Sequence, residues 1–182
     1  MTASFRNFAL ALLFLAGTAN AIPYDSGIVH MEIPAGFEGP VTQQPTMEAT
    51  VGAFVKHYPS DTRGTLIEVT TYEFGARIRS MPESERVPTM DHYLGQFLGG
   101  IEKRRTAFTS TSPVHVTIDG LSASRATWNG VAQGQSMSGV MYCVIVGGVV
   151  VLFHTQDFDD APPENRAAAI RSIESAVFGK HT

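Results

Sequence analysis

The residues best suited to chemistry lie together after an apolar run late in the chain: His154, Asp157, Asp159 and Asp160. Carboxylate oxygens are the ligands that calcium prefers, and an imidazole beside a carboxylate can transfer protons. The structural alternative is that Asp159 or Asp160 caps the helix that follows, while His154 pairs with a neighbour. Capping already accounts for the acids, so we favour the structural interpretation. His154 and Asp157 remain the candidate residues of an enzyme.

Other catalytic and metal-binding patterns are missing from the sequence. No two of the six histidines have the four-residue spacing of a zinc-binding helix. The segments Gly120–Ser124 and Gly134–Ser138 each end in serine where a nucleophile elbow requires glycine. Phosphate-binding loops, dinucleotide fingerprints and calcium loops are also absent. The sequence therefore predicts no catalytic, metal or cofactor site.

Arg125 and the only tryptophan, Trp128, are the candidate partner contacts. A tryptophan at a strand end is either part of the core or an anchor for a partner. The basic triplet 103–105 either complements the negative end of a helix or contacts an anionic partner, such as lipopolysaccharide or phospholipid headgroups. Asp91 and His92 could form an acid–base pair, but neighbouring residues on a helix diverge by about 100°. Helix capping and exposure to solvent are the simpler explanation for Asp91 and His92.

The first 21 residues have the three parts of a secretory signal peptide. Arg6 precedes the apolar run Phe8–Ala16, and Ala19-Asn20-Ala21 provides a small-residue cleavage site. Nine apolar residues span about 14 Å as a helix, less than half of a hydrocarbon core about 30 Å thick. The sequence therefore predicts cleavage after Ala21 and export to the periplasm or the outside. The lone Cys143 cannot form an intramolecular disulfide and is predicted to be buried and inert.

Length and charge limit the class of protein further. A chain of 182 residues with 43% hydrophobic residues can bury one core, so residues 22–182 are predicted to form a single domain. A formal net charge of −4 excludes a generally basic nucleic-acid binder.

Hydrophobic periodicity predicts an α+β domain, a mostly antiparallel sheet with two packed helices. Glycines 95, 99 and 100 weaken the first helix by about 1 kcal/mol each, which close packing on a flat surface would explain. The runs 139–146 and 149–155 are apolar on both faces, so they should be central strands. Segments 34–45, 81–88 and 129–138 are predicted contact loops. The first predicted helix is 89–105, and residues 159–163 are predicted to open a second helix that runs to about 178. The other predicted strands are 28–33, 48–58, 65–74, 114–118 and 121–128.

The chain resembles the PsbP/DcrB-like family, whose members share an α/β/α sandwich with the Ran-binding protein Mog. The resemblance lies in Ile33-Pro34-Ala35-Gly36-Phe37, Ile118-Asp119-Gly120 followed by Arg125 and Trp128, Gly139-Val140-Met141-Tyr142, the Gly147-Gly148 hairpin, and Ser172-Ile173 in the last helix. It implies adaptor, assembly or partner-binding roles without catalysis, and it transfers no site residue.

Two functional hypotheses follow. The first is an exported, non-enzymatic binding module whose partner is a protein or an envelope component, contacted near Trp128 and Arg125. The alternative is a small envelope hydrolase or metal-dependent enzyme that uses His154 with Asp157.

Overall fold

The structure is a computed structural model that describes residues 20–44, 49–59 and 63–179. Within these ranges, eight strands form one antiparallel sheet in the order β3-β4-β5-β10-β9-β8-β6, and β7 pairs with β8 on the same side as β6. A small second sheet has the order β1-β2-β11. The strands are β1 (Ile22–Asp25), β2 (Val29–Ile33), β3 (Glu38–Gln43), β4 (Ala49–His57), β5 (Gly64–Glu73), β6 (Thr106–Ser110), β7 (Val114–Ile118), β8 (Leu121–Ala132), β9 (Gln135–Val146), β10 (Val149–Phe158) and β11 (Val177–Phe178).

The apolar strands β9 and β10 occupy the centre of the large sheet, as predicted. Every residue from Val140 to Val146 is buried, so side chains on both faces of β9 are covered. A strand with two buried faces needs apolar residues at every position, because both sets of side chains leave water. The continuous apolar runs in the sequence therefore reflect the central position of these strands in the sheet.

Two long helices cover opposite faces of the large sheet. The structure has a short α1 (Ala76–Arg79), a long α2 (Glu83–Glu102) and α3 (Pro163–Glu174). Helix α2 packs on β8, β9 and β6, whereas α3 packs on β10, β5 and β2. Each interface has its own apolar core, with Leu94 and Met141 on the α2 side and Ile173 and Phe153 on the α3 side. The predicted α+β class is therefore confirmed as a helix–sheet–helix sandwich.

Both long helices differ from their predicted bounds. Helix α2 begins at Glu83, so most of the predicted connector 81–88 is helical and Pro88 lies inside the helix. Proline is usually a helix boundary because it lacks a backbone donor, which is why the sequence pattern placed the start too late. Helix α3 ends at Glu174, and Val177–Phe178 pair with β2 instead of continuing the helix.

Two predicted loops are also largely strands. The segment 34–45 contains β3, which pairs with β4 across a register shift. The segment 129–138 is a hairpin in which β8 continues to Ala132 and β9 begins at Gln135. The turn lies at Gln133 and Gly134, with φ values of 53° and 76°, and not at the predicted Asn129-Gly130. An Asn-Gly pair permits a turn but does not prevent strand pairing.

The predicted signal peptide lies outside the described residues except for Asn20 and Ala21. The first described strand, β1, begins at Ile22 and pairs with β2. Among the helices in the described ranges, none combines the length and apolar character needed to cross a membrane.

Candidate functional site

His154 and Asp157 lie on opposite faces of β10 and do not form an acid–base pair. The His154 ring faces α2, with its centroid 5.9 Å from that of Trp128. Asp157 faces the other side, where its Oδ2 accepts a hydrogen bond from Thr65 Oγ1 at 2.7 Å and its Oδ1 accepts one from the Phe158 amide at 2.9 Å. Residues an odd number apart on a regular strand point to opposite faces, so their closeness in sequence does not bring them together.

Trp128 and Arg125 are likewise on opposite faces of β8. Trp128 is completely buried under α2 and is stacked on Phe108. Of the two alternatives for this tryptophan, it is therefore a core residue. Arg125 faces α3, where its Nε donates to the Tyr142 hydroxyl at 3.2 Å, and that hydroxyl donates to Glu174 at 2.7 Å. The two residues therefore do not share one contact surface.

The acids after β10 do not cap α3, which corrects the structural interpretation given above. The N-cap residue is Pro162, and no side chain caps the helix within the described residues. Asp159 accepts a hydrogen bond from Ser138 at 3.0 Å, and Asp160 forms an ion pair with Arg63 at 3.1 Å. In the described part of the chain, no three histidine, cysteine or acidic side chains converge as metal ligands.

Asp91, on α2, joins a serine and a histidine from the sheet. The Ser124 hydroxyl donates to Asp91 Oδ1 at 2.5 Å, and His115 Nε2 lies 3.2 Å from Asp91 Oδ2. A nucleophilic serine needs the imidazole between itself and the carboxylate, whereas here the carboxylate lies between the other two groups. The neighbouring His92 contacts Gln96 at 3.0 Å instead of Asp91. The cluster therefore ties α2 to the sheet edge.

Cys143 lies buried in β9, as predicted. Burial raises the pKa of its thiol, and the Asp91 carboxylate adds to the shift. A thiol held in its neutral form is a poor nucleophile.

A groove of about 540 Å³ lies beside α2 and is here called the α2 groove. Helix α2 makes its main sheet contacts with β8, β9 and β6, and the groove lies between α2 and β5. One wall is formed by α2 from Tyr93 onward and by the two arginines that follow it, and the other by β5 from Leu66 onward and by Phe74 just after it. The floor contains Met141, His154 and Gln156. Its volume is in the range of small-molecule sites.

Aromatic side chains form one end of the α2 groove. The rings of Phe74 and Tyr93 are stacked with centroids 5.3 Å apart, and Tyr72 and Phe97 approach to 5.6 Å. The Tyr72–Phe97 pair joins β5 to α2, and the Phe74–Tyr93 pair joins the segment after β5 to α2, so the rings hold the two walls together. These four side chains are only partly buried, so they also present ring surface to the groove.

Two arginines line the opposite end, just after α2 finishes. Arg105 Nη2 donates to Gln156 Oε1 at 2.7 Å, and the guanidinium carbon lies 4.7 Å from the centre of the Trp128 ring. Arg104 Nε donates to the Gly100 carbonyl at 3.3 Å. Two side chains of the basic triplet 103–105 thus line a cavity wall. The interpretation of the triplet as a charge complement to the end of a helix did not predict this position.

His154 lies on the floor between these two ends, opposite Glu68 on the neighbouring strand. Only 8% of His154 is exposed, and its Nε2 has no hydrogen-bond partner among the described residues. Burial lowers the pKa of His154 to about 3, helped by Arg105 and Arg104, so the imidazole is neutral at neutral pH. Burial raises the pKa of Glu68, and the charge of Arg104 partly opposes that shift.

The sandwich defines the chain as a protein of the PsbP-like fold. Solved structures similar to it include the cyanobacterial PsbP (CyanoP) of Synechocystis sp. PCC 6803, with 11% identity, a TM-score of 0.63 and coverage of 90% of this chain and 95% of that one. LpqN of Mycobacterium tuberculosis, described as involved in cell envelope biogenesis, has 16% identity, a TM-score of 0.58 and coverages of 88% and 91%. PA94 of Pseudomonas aeruginosa, a protein of unknown function described as a putative regulator, has 13% identity, a TM-score of 0.53 and coverages of 87% and 96%. At these identities the likeness shows the fold. No family model and no curated protein matches the sequence.

Proposed function

We propose that this protein is an exported, non-enzymatic binding module of the bacterial-type cell envelope, and that it holds its partner in the α2 groove. The observation that carries the proposal is the groove itself, a cavity of about 540 Å³ with an aromatic end and a cationic end. Binding sites are commonly concave and mainly apolar, with a few polar groups that orient the ligand. The resemblance of the fold to an envelope-biogenesis protein supports the assignment to the envelope.

The two residues proposed for the alternative function, an enzyme, do not lie together. His154 and Asp157 lie on opposite faces of β10, and the strand separates the imidazole from the carboxylate. A general acid and base must both reach the reacting group, which one rigid strand does not permit here. We therefore favour binding over catalysis for the site around His154.

The proposed cleavage after Ala21 is compatible with the described fold. Cleavage after Ala21 would leave Ile22 as the first residue, and Ile22 starts β1 opposite Ile33 of β2. The fold would then lose none of its described strands.

A crosslinking experiment in the producing organism tests the proposal. A photoreactive residue replaces Gln96, which is exposed and lines the α2 groove, or Glu38, which is exposed on β3 and is not among the residues that line the groove. We expect one defined envelope component to be crosslinked from position 96 and not from position 38. Absence of a product from position 96, or equal products from both positions, would contradict the proposed function.

A further inference from the structure

The α2 groove changes chemical character along its length. Tyr72 and Leu66 mark its two ends on β5, and the six residue-to-residue steps between them extend about 20 Å at roughly 3.4 Å each. The Tyr72 end carries the aromatic rings, and the Leu66 end is adjacent to Arg105 and Gln156. A ligand that fills this groove meets apolar ring faces at one end and guanidinium groups at the other.

The polar end carries a net positive charge, although the whole chain is negative. Arg104 and Arg105 line it with one acid, Glu68, while the chain has a formal charge of −4. Arg105 is held in place by Gln156 and by the Trp128 ring, so its charge is positioned before any ligand arrives. A guanidinium fixed in advance loses little conformational entropy when it binds a carboxylate.

The floor contributes an unsatisfied polar group. His154 Nε2 has no hydrogen-bond partner in the described part of the chain, although the residue is 92% buried and lines the cavity. An unpaired buried polar atom is unfavourable, so a native protein usually supplies a water or ligand atom there. The same part of the groove therefore offers both charge and a hydrogen-bonding position.

From this arrangement we propose that the α2 groove binds a small amphipathic carboxylate, with its carboxylate at Arg104 and Arg105 and an aromatic body along Tyr72, Phe74 and Phe97. The inference rests on the proposed function, because it names the ligand chemistry of the same groove. Flat rings stack on aromatic side chains in offset or edge-to-face geometry, so the wall favours an aromatic body. The cavity volume of about 540 Å³ sets the ligand at small-molecule size.

Gly100 keeps the groove open. It lines the groove, and a Cβ atom added there would meet nothing within 4 Å. A larger side chain at this position would project from α2 without colliding with the protein at its Cβ. Gly95 is a matched control, because its Cβ would also meet nothing within 4 Å but it is not part of the groove wall.

The test is isothermal titration of the purified protein with 10-phenyldecanoate, whose extended chain is long enough to reach from the arginines to the aromatic end, and with its neutral analogue 10-phenyldecan-1-ol. We expect the carboxylate to bind about tenfold more tightly than the alcohol, because charge-assisted hydrogen bonds are the stronger kind. Arg104→Gln should remove most of that preference. Gly100→Leu should abolish binding of both compounds, and Gly95→Leu should leave both affinities unchanged. The fluorescence of Trp128 should respond to the ligand, since its ring contacts Arg105 and His154.

Equal affinity for the two compounds would overturn the carboxylate assignment while leaving the groove as a binding site. Failure of both compounds to bind, or binding that survives Gly100→Leu, would overturn the inference as a whole. Neither result decides the proposed function, which depends on the separate crosslinking from position 96. If a partner is crosslinked but no carboxylate binds, the groove binds a ligand of a different chemical class.

Discussion

A buried imidazole that stays neutral makes folding depend on pH, and His154 is such a group. Burial lowers its pKa to about 3 in the folded protein, compared with about 6.5 in an unfolded chain. Below about pH 6.5 the unfolded state therefore binds a proton that the folded state does not. This contribution to stability is lost progressively as the pH falls from about 6.5 towards 3.

We predict that His154→Leu reduces the loss of stability in acid. Between pH 7 and pH 5 the His154 contribution to the free energy of unfolding falls by about 2 kcal/mol, and the variant should lack that decrease. Urea titrations of both proteins at the two pH values measure it. An identical pH dependence in the variant and the wild type would show that the His154 imidazole takes up protons in the folded state.

Asp157 provides a control of opposite sign. Its folded pKa is raised to about 6, mainly by burial, so the folded state binds the extra proton and stability rises as the pH falls from 7 to 5. Asp157→Asn should remove that gain of about 1 kcal/mol and make the acid destabilisation steeper. Asparagine can keep the two hydrogen bonds, because the Thr65 hydroxyl can rotate to accept one.

The glycines of the structure fall into two groups according to what surrounds them. In α2, Gly95, Gly99 and Gly100 have open space where a Cβ atom would lie, so the expected close packing of these glycines on a flat surface is wrong. In β9, an added Cβ at Gly139 would lie 2.5 Å from the Trp128 ring. Of these four glycines, only Gly139 is required by packing.

We therefore predict opposite effects of the same substitution in the two elements. Gly95→Ala should raise the free energy of unfolding by up to about 1 kcal/mol, because alanine restricts the unfolded chain and favours helix. Gly139→Ala should lower it by about 1–3 kcal/mol, because the Trp128 ring must move out of its packed position. Chemical denaturation at one pH compares them. Destabilisation by Gly95→Ala would mean that the added methyl group makes an unfavourable contact, which the open space around Gly95 does not predict.

Sequence patterns predicted the elements in which the burial of side chains follows a regular pattern along the chain. The central position of β9 and β10 follows from apolar residues on both faces, and the α2 stripe at Leu94, Leu98 and Ile101 follows from helical spacing. Long-range pairing overrode the local pattern elsewhere. Phe178 has a helical context, but its amide donates to Asp119 Oδ2 at 2.8 Å and it pairs with Val29. Local periodicity carries no information about partners so distant in sequence.

The α2 groove could not be predicted, because it belongs to the assembled molecule and not to any segment. Its polar end needs Arg105 from the end of α2, Gln156 from β10 and Leu66 from β5, which are separated by many residues. The sequence did single out His154 and the basic triplet. It paired His154 with Asp157, however, because those two are near each other in the chain. The sheet register, which sets Glu68 beside His154, determines the actual neighbour.

Under the proposed export, processing of the chain is a property of the whole molecule, and the fold limits where cleavage can occur. Ile22 and Asp25 are the ends of β1, whose four residues pair with β2. A cut within β1 would remove strand pairing, whereas a cut after Ala21 leaves every described strand whole. We predict that the mature protein begins at Ile22 and that Ala21→Arg, which places a large charged residue at the cleavage site, blocks processing. Intact-mass measurement of the protein recovered from the producing organism checks both. A mature chain that begins inside β1, or one that retains Met1, would contradict the prediction, since the first would lack strand residues and the second would not have been processed.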